Sequence, residues 1–207
     1  FESVDETPLD TGDPERPLTG ALARSAVLTL LYDDAQWEYG REALAAAMNG
    51  DGSQLLYIAD LSSERRYDGT YRTNAAFAIT AVNCLDHPGV ADEQWVEQEA
   101  ERLAEEFPTF GPMLGGDGCA HWPEEPVREP APITADGAGP ILVVGTTGDP
   151  ATPYAWSQEL ASQLGDATLL TYEGEGHTAY GRSGGCIEEQ VDAYLLEGTV
   201  PEDGLRC

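Results

Sequence analysis

The chain has 207 residues, 41% of them hydrophobic, enough for one domain with a real core or two small ones and unlike a disordered tail. Its 38 acidic residues face 10 basic ones, all of them Arg, for a formal charge of −28. Such a field repels phosphate backbones and anionic lipid surfaces, so neither nucleic acid nor a membrane is expected as a partner; solubility is a sufficient reason for the acidity, and cationic or amine-bearing ligands remain open.

The opening stretch FESVDETPLDTGDPERPLTG is polar and proline-bearing, neither a signal segment nor a translation start, so Phe1 looks like a position created by cleavage or by the choice of boundaries. From Leu18 to about Phe107 the pattern is helical. Ala21, Leu22, Val27, Leu28, Leu30 and Leu31 form an apolar face, Asp33 and Asp34 restart the chain, and a second helix runs from about Ala35 to Met48 with Asn49 and Gly50 as its stop. A third covers Gln54 to about Ser62. AAFAITAVNC, residues 75–84, fits helix or strand, with extended structure preferred. DEQWVEQEAERLAEEF, 92–107, is an amphipathic helix closed by Pro108.

Between Pro108 and Pro140 lie Pro112, Pro123, Pro126, Pro130 and Pro132 among several glycines, which is the composition of a surface connector. His121 sits in it. A packed or capping role is expected there rather than a metal, because no second ligand lies at usable spacing.

After the connector the pattern changes. ILVVGTTGD, 141–149, is a continuous apolar run ending in glycine, as a buried parallel strand does. In TPYAWSQELASQLG, Thr152 can cap a helix with Pro153 at its first position. ATLLTYEG, 167–174, is a second strand, and CIEEQVDAYLLEG, 186–198, is a helix stopped by Gly198. Strand, helix, strand, helix is α/β grammar, and two strands are too few for a complete sheet of that class. The expected division is 1–130, mostly helical with the connector, and 131–207, the α/β part.

Cys84, Cys119, Cys186 and Cys207 match no zinc spacing. Two disulfides between nearest partners, Cys84–Cys119 and Cys186–Cys207, are expected and imply an oxidising compartment; buried free thiols are the alternative.

In open α/β sheets functional residues sit at the carboxyl ends of strands. Asp149 follows the first strand and His177 the second, so adjacent parallel strands bring them within reach. The carboxylate can then hold one imidazole nitrogen and leave the other as a general base, the later part of a triad in the order Ser, Asp, His. Taken singly, each has a plainer explanation: Asp149 as a turn cap in GDPATP, and His177 as a tolerated loop residue. The string GRSGG, 181–185, fits G-x-S-x-G, but an elbow needs a strand directly before its serine. Ser183 follows a loop, and is expected to be loop.

PILVVGTTGDPATPYAWSQELASQL followed by EGHTAYGRSGGCIEEQVDAYLLEGTVP resembles the C-terminal part of the actinomycete tripeptidyl aminopeptidases, secreted α/β-hydrolase serine peptidases related to prolyl aminopeptidases. ERPLTGAL, NAAFAITAVNCLD and FGPMLG are similar to that family's helical cap, so the resemblance runs from about Pro8 to Cys207. It implies a helical cap followed by the C-terminal part of an α/β-hydrolase sheet, with Asp149 as triad acid, His177 as triad base and Cys186–Cys207 as a family disulfide. The N-terminal strands and the family's G-x-S-Y-G elbow have no counterpart in these residues, which implies a nucleophile on an upstream segment or chain of the same precursor.

The implied activity is a secreted serine aminopeptidase acting on peptides with a free N-terminus, without metal or organic cofactor. A non-enzymatic fragment or binding module, and an esterase on the same fold, are the alternatives. Recognition of a substrate ammonium calls for carboxylates; Asp60, Glu64, Asp68 and Asp86 are available, and none is singled out.

Overall fold

A computed structural model describes residues 1–87, 89, 92–116, 118–124, 126–127 and 130–207. The chain forms two compact units: Phe1–Thr29 with Arg41–Ala131, and Leu30–Gly40 with Pro132–Cys207. The second unit thus includes an eleven-residue segment from the helical part of the chain, which the linear division at 130 does not contain.

The first unit is helical. A short α1 (Glu2–Glu6) precedes α2 (Gly20–Leu30), whose first turn is capped by the Thr19 hydroxyl accepting from the Leu22 amide at 3.3 Å. A 3-10 turn (Asp34–Gln36) leads into α3 (Trp37–Met48), followed by α4 (Ser53–Ser62). Leu18, Ala23, Ala26, Leu55 and Ile58 are buried at the centre of this unit.

Residues 75–84 are helical, not extended: α5 spans Ala75–Asp86. Four alanines in AAFAITAV favour helix, and twelve residues are long for a buried strand, which outweighs the β-branched Ile79, Thr80 and Val82. A disulfide joins Cys84 of this helix to Cys119. In α6 (Glu93–Glu106), the Asp92 carboxylate caps the start by accepting from the Trp95 amide at 3.1 Å. The proline-rich stretch is not wholly irregular, since Gly111–Leu114 makes one helical turn, α7, with Pro112 in its first turn, where a missing N–H is harmless.

The second unit has a parallel pair, β1 (Ile141–Gly148) and β2 (Ala167–Glu175), in register Ile141 with Ala167 and Val143 with Leu169. Helix α8 (Tyr154–Gln163) connects them, and α9 (Cys186–Glu197) follows. Gly198 ends α9 in the left-handed conformation, φ 71°, and its amide donates to the Tyr194 carbonyl at 3.1 Å. Leu170, Ala179, Ile187 and Val191 form the core, flanked by Leu142, Val144, Tyr172 and Leu205.

The C-terminal residues run along the outer edge of β2. Thr171 N–H donates to Leu205 O and Cys207 N–H to Thr171 O, both at 2.8 Å, and the Cys186–Cys207 disulfide ties this tail to α9. The opposite edge of the sheet, along β1, has no strand partner among the described residues. A bare edge of this kind is the place where a sheet accepts a further strand. Helices beside a small parallel sheet are consistent with the expected part of an α/β-hydrolase.

Candidate active site

β1 ends at Gly148 and delivers Asp149 into a tight turn. That turn wraps its own carboxylate: the Ala151 and Thr152 amides donate to Oδ1 at 2.8 and 2.9 Å, and the Thr152 hydroxyl donates to Oδ2 at 2.9 Å. The side chain is only 5% exposed. Burial opposes ionisation, but the two amides, the hydroxyl and His177 outweigh it and hold the carboxyl at about 2, below its ordinary 3.8.

At the end of β2 the loop Gly176, His177, Thr178 presents the imidazole. His177 Nδ1 lies 3.0 Å from each oxygen of Asp149. An ionised carboxylate can only accept, so Nδ1 carries the hydrogen and, in the neutral ring, Nε2 is the basic nitrogen. No hydrogen bond to Nε2 is present among the described residues, and the side chain is 31% exposed.

The loop is held from several sides. Its backbone turns sharply, with φ of 95° at Gly176 and 67° at Thr178. A Cβ at 176 would lie 2.7 Å from the Tyr32 carbonyl oxygen, so only glycine fits there. His177 N–H donates to that carbonyl at 2.8 Å, and the Tyr32 ring meets the imidazole edge-on at 5.1 Å between centroids. Arg182 Nε donates to Thr178 O at 2.8 Å, and its Nη2 donates to Glu175 O.

The Thr152 expectation needs correction. Helix α8 begins at Tyr154 with Pro153 as its cap residue and no side-chain cap bond, so Thr152 does not cap it. The hydroxyl is taken by the buried carboxylate, an ionised acceptor and a stronger partner than a peptide group. Thr152→Val is therefore expected to remove one donor to Asp149, costing about 1.5 kcal/mol of stability and lowering turnover. Thr152→Ser should stay near the parent in both, as thermal melts and steady-state rates would register.

The depressed carboxyl also sets a pH dependence. A group whose folded value lies below its unfolded one stabilises above the unfolded value, and that contribution is lost as pH falls from about 4 to about 2. About 2 kcal/mol is at stake. Denaturant titration at pH 6 and at pH 2 should show the parent and Asp149→Asn separated at the higher pH and converging at the lower.

Ser183 stands beyond the His177 loop and just before α9, with its hydroxyl donating to Glu188 Oε2 at 3.1 Å. No strand leads directly into it, so the elbow geometry is absent there. Three of the four carboxylates considered for a substrate ammonium are engaged by side chains of the chain itself. Asp60 takes a two-pronged bond from Arg16 at 2.7 and 3.0 Å, Glu64 accepts from the Thr73 hydroxyl, and Asp68 accepts from Thr70. Asp86 is the last residue of α5. His121 is exposed in a turn, and no cluster of three or more His, Cys, Asp or Glu able to hold a metal occurs among the described residues.

Tyr32, Asp34 and Arg182 are the residues that sequence reading passes over. Asp34 and Arg182 are 148 residues apart, and Asp33–Asp34 reads locally as a helix restart, so no short-range pattern connects them.

Comparison with known proteins agrees with this architecture. Residues 107–207 match a family described as TAP-like protein, an α/β-hydrolase family. The chain is 37% identical over 205 residues to serine protease Hip1 of Mycobacterium tuberculosis, covering 97% of this chain and 39% of that protein. It is 38% identical over 208 residues to carboxylesterase B of the same species, covering 98% and 39%, and 28% identical over 205 residues to tripeptidyl aminopeptidase of Streptomyces lividans, covering 93% and 37%. The chain therefore spans about two fifths of the length of these relatives, which by name include serine hydrolases. Residues 107–207 are thus similar to the TAP-like α/β-hydrolase family.

Proposed function

We propose that this chain supplies the acid and the base of a secreted serine aminopeptidase, with the nucleophilic serine carried by an upstream segment of the same precursor. The observation that carries the reading is the Asp149–His177 pair, 3.0 Å apart at the ends of two adjacent parallel strands, with Nε2 left without a hydrogen-bond partner among the described residues. The bare edge of β1 supports the idea of further strands supplied by that upstream segment.

In the proposed cycle the serine hydroxyl attacks the scissile carbonyl and gives its proton to His177 Nε2. The tetrahedral intermediate collapses, and His177 passes the proton to the departing amine, leaving an acyl-enzyme. Water repeats the sequence, with His177 again taking and returning a proton, and releases the N-terminal product. Throughout, the Asp149 carboxylate stays ionised, fixes the ring and offsets the charge of the imidazolium. The negative field of the chain favours a substrate with a cationic N-terminus. Two disulfides support an extracellular setting.

An esterase is the second reading, favoured by the likeness to carboxylesterase B. The deciding experiment takes the complete polypeptide that includes the serine. It compares hydrolysis of a tripeptide p-nitroanilide with a free N-terminus, the same compound N-acetylated, and a p-nitrophenyl ester. Preference for the free amine supports the aminopeptidase; turnover of the ester alone supports the esterase; absence of all three, and of labelling by a fluorophosphonate, overturns both.

A further inference from the structure

The segment Leu30–Gly40 folds with the C-terminal unit although the 91 residues Arg41–Ala131 separate the two in sequence. Its contacts converge on one place. The Tyr32 carbonyl takes the His177 amide, the Tyr32 ring stands against the imidazole, and Asp34 Oδ1 pairs with Arg182 Nη1 at 3.3 Å. The same guanidinium donates from Nε to the carbonyl of Thr178, and from Nη2 to that of Glu175. Glu175 and Thr178 bracket Gly176 and His177, so Arg182 bridges the two ends of the short bend that presents the imidazole. The guanidinium stands 5.8 Å from the centre of the Tyr172 ring, and the side chain is only 18% exposed.

Each nitrogen of Arg182 therefore has a separate acceptor, in the fork geometry that arginine supplies and lysine does not. Two carbonyls and one carboxylate fix its plane. A bend with two left-handed residues has no regular hydrogen-bond ladder of its own and depends on such outside supports.

We propose that Arg182 is a positioning residue for His177: aligned by Asp34, it clamps the backbone on both sides of the imidazole and sets the distance from Nε2 to the attacking oxygen. The proposal rests on the reading of His177 as general base. It differs from a purely structural role in one respect. The clamp acts on the geometry of one ring, so its loss affects the chemical step more than substrate binding or global stability.

The test uses the complete polypeptide with the serine segment, a p-nitrophenyl ester as substrate, and Arg182→Met, Arg182→Lys and His177→Ala. A displacement of the order of 1 Å at a reacting group costs about 100-fold. Arg182→Met is accordingly expected to lower kcat by roughly 10- to 100-fold, with KM within about threefold of the parent. Lysine keeps the charge but reaches fewer acceptors, so Arg182→Lys should fall between parent and Met.

If Arg182→Met folds and keeps the parent kcat while His177→Ala is inactive, the clamp is refuted and the base assignment stands. If His177→Ala keeps parental activity, the base assignment falls and the clamp falls with it. If Arg182→Met does not fold, Arg182→Lys decides: a kcat reduced about threefold or more at unchanged KM supports the clamp, and a parental kcat overturns it.

Discussion

Replacement of His177 by Ala is expected to lower turnover of the complete enzyme by roughly 10⁴- to 10⁶-fold, the range seen when a serine hydrolase loses its base. The fold should survive, because the ring lies on a surface loop and the backbone contacts of that loop involve main chain and Arg182 rather than the imidazole. What is lost in folding terms is the edge contact with Tyr32 and one donor to Asp149. Circular dichroism and a thermal melt close to the parent, together with a kcat that falls by at least a thousandfold, are the expected results. Retention of activity within tenfold would remove His177 from the mechanism.

Asp149→Asn should be nearly as severe for a reason particular to this turn. Two backbone amides, those of Ala151 and Thr152, both point at Oδ1. An asparagine must place its carbonyl oxygen there to accept them, which puts its NH₂ at the Oδ2 position, facing His177 Nδ1. Nδ1 is equally close to both positions, so the retained oxygen can still accept from it, but the new NH₂ beside it favours an unprotonated Nδ1 and shifts the ring toward the tautomer protonated on Nε2. That nitrogen can then no longer accept a proton from a serine. A loss of roughly 10³- to 10⁴-fold in kcat is expected, comparable with the same change in the well-studied serine proteases. Nitrogen-15 NMR of the imidazole should show the Nδ1-protonated form in the parent and the Nε2-protonated form in the variant. A variant with the parental tautomer and parental rate would contradict the orientation role.

The α/β part of the molecule was legible in sequence because its signals are local. ILVVG is a buried strand by composition, glycine ends it, and the first polar residue after it must lie at the strand's carboxyl end. Asp149 follows the first strand directly and His177 lies in the loop after the second, three residues past Gly174, and their side chains do meet in space. For the sheet as a whole, the pattern could say only that two strands are too few for a complete one of that class.

Other features depended on competition between partners. Thr152 had a helix start and a carboxylate within reach, and short-range capping rules do not anticipate that the ionised acceptor wins. For residues 75–84 helix and strand were both open with extended structure preferred, and helix propensity and length prevailed. Tyr32, Asp34 and Arg182 illustrate a stricter limit: each residue is ordinary in its own neighbourhood, and only the folded chain brings them to one loop.

The path of the chain between the two units has a consequence for how the protein is made. During synthesis, Leu30–Gly40 leaves the ribosome long before the residues it is to hold. Arg182 follows Asp34 by 148 residues, which at about 5–20 residues per second is a wait on the order of ten seconds. Over that interval the nascent segment has no docking site, and its flanking helices must form without engaging Tyr32 and Asp34 elsewhere. The His177 loop can therefore reach its final form only after translation of the C-terminal unit is nearly complete. A fragment beginning at Pro132, though it contains both Asp149 and His177, would never acquire the Tyr32 and Asp34 contacts at all.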